Sequence, residues 1–472
     1  MCGILVTATE PRAYSIAHRG TEFKSVKAGK VTLTHYRLPI QTLDNDEWAM
    51  PYEYLPGKYL LFNGEIFNYD SKFGSDTEYL VDFFRRVGDI NIETLYCHRP
   101  EIWNWDGFWS IVLFDSETRN VVAFNDPLGK KQLYVNDLGE ICSEVNPLVL
   151  PYDELDSTYL STVSKWGYNY NELTPWKGVK RLRPNTWHGY SIDNPSLKTT
   201  VPNFEFEPME ITGPKQVYEV LKESVSRRLL SKNYPISVLL SGGLDSTIIT
   251  SILQDLGADV TYYTISNDEE EYVRLCEDYW GIKVNRLTYD LEDEKMLKEI
   301  YCKWNESPVD MGSVVPQYHL FDAVAKTGHR IVLSGDGADE LFGGYRRISE
   351  YDSQGSDVYD ELTYYHLPRL DRMSMAHTIE LRNPFLGHDV VRMALGLNLH
   401  DRYNKQILKD AFVGKIPSDI IFRKKAPLKN DSIKQNALEY RKKIINLYKE
   451  NVEKYLTWKK IKVWKKLKHD VY

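Results

Sequence analysis

Hydrophobic and polar positions follow two rhythms along this chain. Up to residue 190 the apolar residues come in short runs, "CGILVTA", "KVTLTHYRL", "KYLLFNGEIFN", "WSIVLFD", "NVVAFND" and "KQLYVND", each punctuated by Gly, Asn or Asp. Such runs predict a mostly antiparallel layer of strands. One stretch, "SDTEYLVDFFRRV", reads instead as a helix opening on a capping box, with Ser75 and then Glu78 three residues on. Residues 191–214 are polar, proline-bearing and without period, and are expected to be a linker. Beyond them, helical and strand patterns alternate. "KQVYEVLKESVSRRLL" is followed by "ISVLL", "STIITSILQDL", "DVTYYTIS", "EEEYVRLCEDYW", "IKVNRLTY", a long helical region and "RIVLSG". That alternation predicts a parallel sheet wrapped by helices. The chain therefore divides into a β-rich domain, 1–190, and an α/β domain, 215–472. From Arg441 onward lysines dominate, with Trp458 and Trp464 interleaved. An amphipathic helix lying on the second domain is expected there, with an RNA- or partner-binding surface as the alternative.

Composition narrows the class. A chain of 472 residues exceeds one ordinary core, which agrees with two domains. A formal charge of −8 gives no general drive towards nucleic acid or an acidic membrane. Five cysteines (Cys2, Cys97, Cys142, Cys276, Cys302) form no CxxC pair, so neither a disulfide framework nor a zinc site is suggested. Glu10, Pro11 and Arg12 break the opening apolar run too early for a secretory signal, and no run is long enough to span a bilayer. A cytoplasmic, reducing setting is expected, in which a reactive thiol survives.

Three stretches carry chemistry. "ISVLLSGGLDST" (236–247) is strand, glycine turn, then helix start. Gly242 and Gly243 let the backbone turn its N–H groups towards an anion at the helix N-terminus, and Ser241, Ser246 and Thr247 add hydroxyls. Asp245 in such a loop implies a bridging Mg²⁺, and no lysine follows the glycines as in a Walker loop. The string resembles the pyrophosphate loop of ATP pyrophosphatases. "RIVLSGDGADELFGGY" (330–345) repeats the strand–turn design, with Asp339 and Glu340 after the glycines. Two such loops at the carboxyl ends of parallel strands face one crevice. The third stretch is "MCGI". Cys2 is either an ordinary buried strand residue or, once methionine is removed, a nucleophile whose own amine serves as base, with pKa values of roughly 8 and 8.5 for amine and thiol. A nucleophile of that kind needs an oxyanion hole and a substrate clamp. "LLFNGEIFN" offers the Asn63 side chain, the Gly64 N–H and the Glu65 carboxylate, "HYRLPIQ" offers Arg37 for a carboxylate, and "GSDTEY" offers Asp76 for an amine.

The series "MCGI", "HRG", "RLPI", "NGEIFN", "SDTE", "WDGFWSIVLFD", "SGGLDS", "LSGDGADELFGGY" and "DRMSMAHTIELRNPFL" resembles, in order and over roughly residues 1–430, the glutamine-dependent asparagine synthetases of class B. The resemblance implies an α+β N-terminal-nucleophile (αββα) glutaminase domain followed by an α/β parallel-sheet synthetase domain of ATP-pyrophosphatase type. It implies glutamine, aspartate and ATP as substrates and Mg²⁺ as cofactor. No membrane or nucleic-acid partner is implied, and a homodimer is compatible with it. Ammonia released at Cys2 would travel internally to a β-aspartyl-AMP. Carried over by motif, Cys2 is the nucleophile, Asn63 and Gly64 the oxyanion hole, and Arg37, Glu65 and Asp76 the glutamine clamp. Leu239, Ile265, Ser334 and Gly335 fall where the adenosine part of ATP is held. Ser241, Gly242, Gly243, Asp245 and Ser246 fall on the pyrophosphate, Asp245 and Asp339 on Mg²⁺, Asp336 on the ammonia step and Lys425 on phosphate charge. The chain departs from the family pattern mainly on the acceptor side. "SPVDMGSVVPQYHL" shares Asp310, Ser313, Pro316 and Tyr318 with it but lacks a threonine pair and an arginine. The alternatives are a related amidotransferase acting on another carboxylate and a non-catalytic paralogue.

Overall fold

The computed structural model describes residues 2–8, 16–41, 46–202, 205–265, 270–288, 294–345, 360–423 and 437–469, the last fifteen by their backbone. Twelve strands precede residue 203 among these: β1 (Cys2–Thr7), β2 (Glu22–Ala28), β3 (Val31–Arg37), β4 (Tyr52–Leu55), β5 (Lys58–Ile66), β6 (Gly107–Asp115), β7 (Asn120–Asn125), β8 (Tyr134–Asn136), β9 (Ile141–Cys142), β10 (Val179–Arg181), β11 (Thr186–Ser191) and β12 (Asn194–Pro202). They form two antiparallel sheets, ordered β10-β8-β9-β1-β3-β2 and β12-β11-β7-β6-β5-β4.

The two-residue period of a strand explains how the sheets stack. Ile4 and Val6 of β1, Leu33 of β3, Leu61 of β5 and Val112 and Phe114 of β6 meet in one core between the sheets. The alternate residues of the second sheet, Leu60, Phe62, Ile111 and Leu113, turn outward. The helix Asp76–Val87 covers them with Leu80, Phe83, Phe84 and Val87. Each such side chain contributes roughly 1.5–3 kcal/mol on burial. This helix begins as its sequence predicts. The Ser75 hydroxyl accepts from the Glu78 N–H at 3.2 Å, while the Glu78 carboxylate accepts from the Gly74 N–H at 2.7 Å, one residue earlier than a standard capping box.

The expected linker differs in the structure. Residues 194–202 form β12, an edge strand paired with β11, so chain up to Pro202 belongs to the second sheet. "NPSLKTTVP" hides this because an exposed edge strand needs no apolar alternation.

The second half carries a five-stranded sheet, β13 (Ile236–Leu239), β14 (Val260–Ile265), β15 (Val284–Leu287), β16 (Ile331–Leu333) and β17 (Glu380–Arg382), ordered β15-β14-β13-β16-β17. Every pairing in it is parallel. Chain order runs outward from β13 through β14 to β15 and then resumes on the other side at β16. The crevice between the loops after β13 and β16 is thus the switch point, where open parallel sheets bind ligands.

The two halves share a seam. Leu5, Tyr134 and Cys142, on the outer face of the first sheet, enter the same core as the second half. Beside them lies a buried charge network. Arg19 donates from Nε to the Cys2 carbonyl oxygen (3.1 Å) and from Nη2 to Asp371 (2.9 Å), which Lys131 also contacts. Arg372 reaches Glu144 at 3.5 Å and pairs with Glu306. The helix Ala437–His469 realises the predicted C-terminal helix. It lies against both halves: Ile445 packs on Tyr159, Leu160 and Val163, and the Tyr448 hydroxyl donates to the Glu306 carbonyl oxygen at 3.1 Å. No helix among the described residues is long and apolar enough to cross a membrane.

Candidate active site

The first pocket sits at one end of the two-sheet core. Strands β1 and β3 place Cys2 opposite Arg37 and Ile4 opposite His35, so these four side chains share the inward face. Asn63 lies two residues from the inward Leu61 and meets Cys2 across the gap: the Cys2 N–H donates to Asn63 Oδ1 at 2.9 Å. The Asn63 Nδ2 donor is buried and has no protein partner. That is the arrangement an oxyanion requires, because a donor held without a partner costs free energy until the charge arrives. Gly64 is obligatory for a different reason. A Cβ there would lie 2.1 Å from the Phe108 carbonyl oxygen on the neighbouring strand.

Cys2, Arg37, Gly64, Glu65 and Asp76 line one pocket of ≈ 480 Å³ that opens to solvent. The sequence-predicted glutaminase residues are therefore brought together. Arg37 is held by Glu22 at 3.0 Å at the pocket edge. Burial alone would push the Cys2 thiol up, but the adjacent His35 ring and the Leu38 N–H bring it down to about 7. Sequence reasoning missed His35. Its only signal was its position two residues before Arg37, on the same strand face. Its Nε2 bonds to the Phe62 carbonyl oxygen at 2.8 Å, which fixes the ring.

Glu65 and Asp76 wait as a pair of buried acids. Burial, with the repulsion between them, holds Glu65 well above the usual carboxylate range. Burial raises Asp76 to about 6 despite the Ile66 N–H that donates to it at 3.1 Å. An incoming ammonium would relieve both. A raised folded-state pKa means that the native chain binds more protons than the unfolded chain between pH of roughly 4 and 6, so this group's contribution to stability falls as pH rises through that window. Asp76→Asn should therefore raise the unfolding midpoint at pH 7.5 by the equivalent of about 1–3 kcal/mol. Thermal unfolding at pH 4 and 7.5 checks this; an unchanged or lower midpoint at pH 7.5 would refute the assignment of Asp76 as a buried, cation-seeking acid.

The second site is the crevice after β13 and β16. It is a cleft of ≈ 2150 Å³, counting space open to solvent, lined by Leu239, Ser241, Gly243, Asp245, Ser246, Ile265, Ser334, Gly335, Asp336 and Asp339 among others. Most of the synthetase-side residues expected from sequence face it. Gly242 shapes the turn instead: its φ is +71°, and a Cβ there would strike Tyr272 at 2.7 Å. Lys425 lies outside the described residues. The two loops touch, since a Cβ on Gly335 would lie 2.9 Å from Asp245 Cβ. Ser241 and Ser246 hydroxyls lie 3.1 Å apart and close the loop on itself. Thr247, read as a cradle hydroxyl, is turned into the core 3.8 Å from Cys276 Sγ. Helical rotation puts it on the face that meets the helix Glu270–Trp280.

Asp336 is set by neighbours from distant chain. Its carboxylate accepts from Ser334 Oγ at 2.7 Å, and Asn383 Nδ2 holds Ser334 Oγ at 2.9 Å. Buried Arg369 approaches Asp336 at 3.6 Å and donates to Ser313 Oγ. Asp310, part of the acceptor-side segment, lies outside the cleft lining and caps its own turn, accepting from the Ser313 N–H at 3.0 Å. Arg369, Asn383 and Lys405 were not legible in sequence, since each sits outside any glycine-rich motif.

Asp245 and Asp339, expected to hold Mg²⁺, stand together around Lys405 Nζ, which lies 2.6 Å from an oxygen of each. Burial opposes the lysine charge, but these two carboxylates hold its ammonium above the usual lysine range. The described residues offer no cluster of three or more metal-ligating groups. Two carboxylates still fit Mg²⁺, which habitually completes its shell with phosphate oxygens and water.

A thiol pocket in the first half and a twin-loop nucleotide cleft in the second define a two-centre amidotransferase architecture. Known families divide the chain in the same way: a "Glutamine amidotransferase domain" model matches residues 1–200, and an "Asparagine synthase" model matches 216–359 and 354–468. The chain belongs to the asparagine synthase family. A probable asparagine synthetase [glutamine-hydrolyzing] of Schizosaccharomyces pombe is 26% identical to it over 90% of this chain and 84% of that protein. A putative asparagine synthetase [glutamine-hydrolyzing] of Methanocaldococcus jannaschii is 26% identical over 78% and 70%. Asparagine synthetase B of Escherichia coli is 23% identical over 86% and 76%.

Proposed function

We propose that this chain makes asparagine from aspartate, ATP and glutamine nitrogen. The observation that carries the reading is the pairing, within one polypeptide, of the Cys2 pocket with the Ser241–Ser246 and Ser334–Asp339 cleft across a buried seam. The αββα glutaminase and ATP-pyrophosphatase folds are the proposed identities of the two halves. Five unpaired cysteines suit a cytoplasmic setting.

In the first pocket, Arg37 would take the glutamine carboxylate, and Glu65 and Asp76 its ammonium. Cys2 Sγ then attacks the side-chain amide carbon while Asn63 Nδ2 and the Gly64 N–H receive the developing oxyanion. Ammonia departs, and water hydrolyses the thioester to glutamate. An apolar cluster of Phe67, Phe108 and Met375 is packed between the halves, and ammonia moving from one centre to the other would have to pass beside it. In the cleft, Leu239, Ile265, Ser334 and Gly335 would hold adenosine, and the N–H groups of 241–246 the departing pyrophosphate, with Lys425 adding charge. Mg²⁺ on Asp245 and Asp339 would neutralise phosphate charge when bound. Asp336, which accepts from Ser334 and is approached by Arg369, would take a proton from the attacking ammonia.

The names of the relatives favour aspartate over another carboxylate as acceptor. The test supplies purified protein with ATP, Mg²⁺, glutamine and a panel of carboxylic acids. Pyrophosphate release that needs aspartate, with asparagine accumulating, is the expected result. Release with a different acid and none with aspartate would move the reading to a related amidotransferase, and no release with any acid would favour a non-catalytic paralogue.

A further inference from the structure

Lys405 is held where it is by more than its two ion pairs. It is buried, and its ammonium contacts both oxygens of Asp245 at 2.6 Å and one of Asp339 at 2.6 Å. Asn404 and Lys405 both take left-handed backbone, with φ of 50° and 58°. Left-handed backbone is unfavourable for any residue but glycine, so surrounding contacts must hold it. The Lys405 N–H is tied to the Phe342 carbonyl oxygen at 3.1 Å. The glycine pair of "ELFGGY" makes room for the cluster. A Cβ on Gly344 would overlap Asp339 Oδ1 at 1.9 Å and Lys405 Cε at 2.4 Å, and one on Gly343 would meet the Arg402 carbonyl oxygen at 2.6 Å. Three separate segments, 241–246, 334–345 and 402–405, thus converge on one ammonium.

Two half-buried carboxylates gathered on one ammonium repel each other, and their charge favours a cation between them. The ammonium and a divalent ion would need the same oxygens, so they compete. We propose that Lys405 is the resident cation of this cleft: its ammonium keeps the position between Asp245 and Asp339 until a metal–nucleotide complex displaces it. Metal therefore enters with the nucleotide and not before it. Once displaced, the ammonium remains in the cleft lining, within reach of phosphate oxygens. The inference rests on reading the cleft as a phosphate cradle, but its test contains no nucleotide, glutamine or acceptor. A failed acceptor panel and a failed metal titration are therefore distinguishable.

The experiment titrates Mn²⁺ alone into the full-length protein, read by electron paramagnetic resonance of free Mn²⁺. The parent protein is expected to bind Mn²⁺ weakly, and Lys405→Met about tenfold or more tightly, as removal of a competing cation requires. Adding Asp339→Asn to Lys405→Met should abolish the gain. Equal affinity in parent and Lys405→Met, or a gain that survives Asp339→Asn, would overturn the proposal. Lys405→Gln gives the same comparison with the hydrogen bonds kept, should the methionine variant fail to fold.

Discussion

Cys2→Ala is expected to lose glutamine-driven asparagine formation by about 10³-fold or more, since no other thiol lines the pocket and water is a poor substitute for a bound nucleophile. With ammonium chloride in place of glutamine, the same variant should release pyrophosphate within about threefold of the parent rate. The asymmetry follows from placement. The Cys2 side chain points into the end of the two-sheet core, whereas the nucleotide cleft opens from the far side of the seam. Arg19 grips the Cys2 backbone carbonyl and not its sulfur, so shortening the side chain leaves that contact intact. Parallel assays of glutamate and pyrophosphate check both halves of the expectation. If ammonium-driven release died as well, the two centres would not divide the work as described.

Asp245→Asn should give the opposite pattern: pyrophosphate release falling by about 10²-fold or more with either nitrogen source, while basal glutamine hydrolysis persists. One charge disappears from the pair that holds Lys405 and would hold Mg²⁺, so the departing phosphates lose their counter-charge. Asn keeps the volume and the loop contact with Gly335, which limits the damage to electrostatics. Near-parental pyrophosphate release from this variant would remove Asp245 from the adenylation step.

Much of this architecture could be read from the sequence where its physics is local. The strands β13, β14 and β16 are short runs dominated by apolar and β-branched residues between helical patterns, and buried parallel strands leave that trace. The glycine loops were legible because a turn that approaches another backbone excludes side chains. What failed to show was set by distant partners. Strand β17 reads "ELR", yet Glu380 and Arg382 are both fully buried because they pair with each other at 2.6 Å. No hydropathy pattern reports a charge satisfied by its neighbour. His35, Arg369 and Lys405 likewise become site residues only after separate chain segments meet, whereas Cys2, Arg37, Asn63, Glu65 and Asp76 announced themselves through short motifs. Thr247 shows the reverse error, a hydroxyl in the right motif on the wrong side of its helix.

The seam also bears on how far either centre could be borrowed. Severed near residue 203, an amino-terminal fragment would keep Arg19 and Lys131 but lose Asp371, the carboxylate both of them grip. It would also lay Leu5 and Tyr134 open to water. A lysine without its carboxylate, an arginine left to Glu144 alone and a bare apolar face beside strand β1 make a poor free-standing domain, so grafting this thiol pocket onto another scaffold would have to carry the helix Leu367–Met375 along with it.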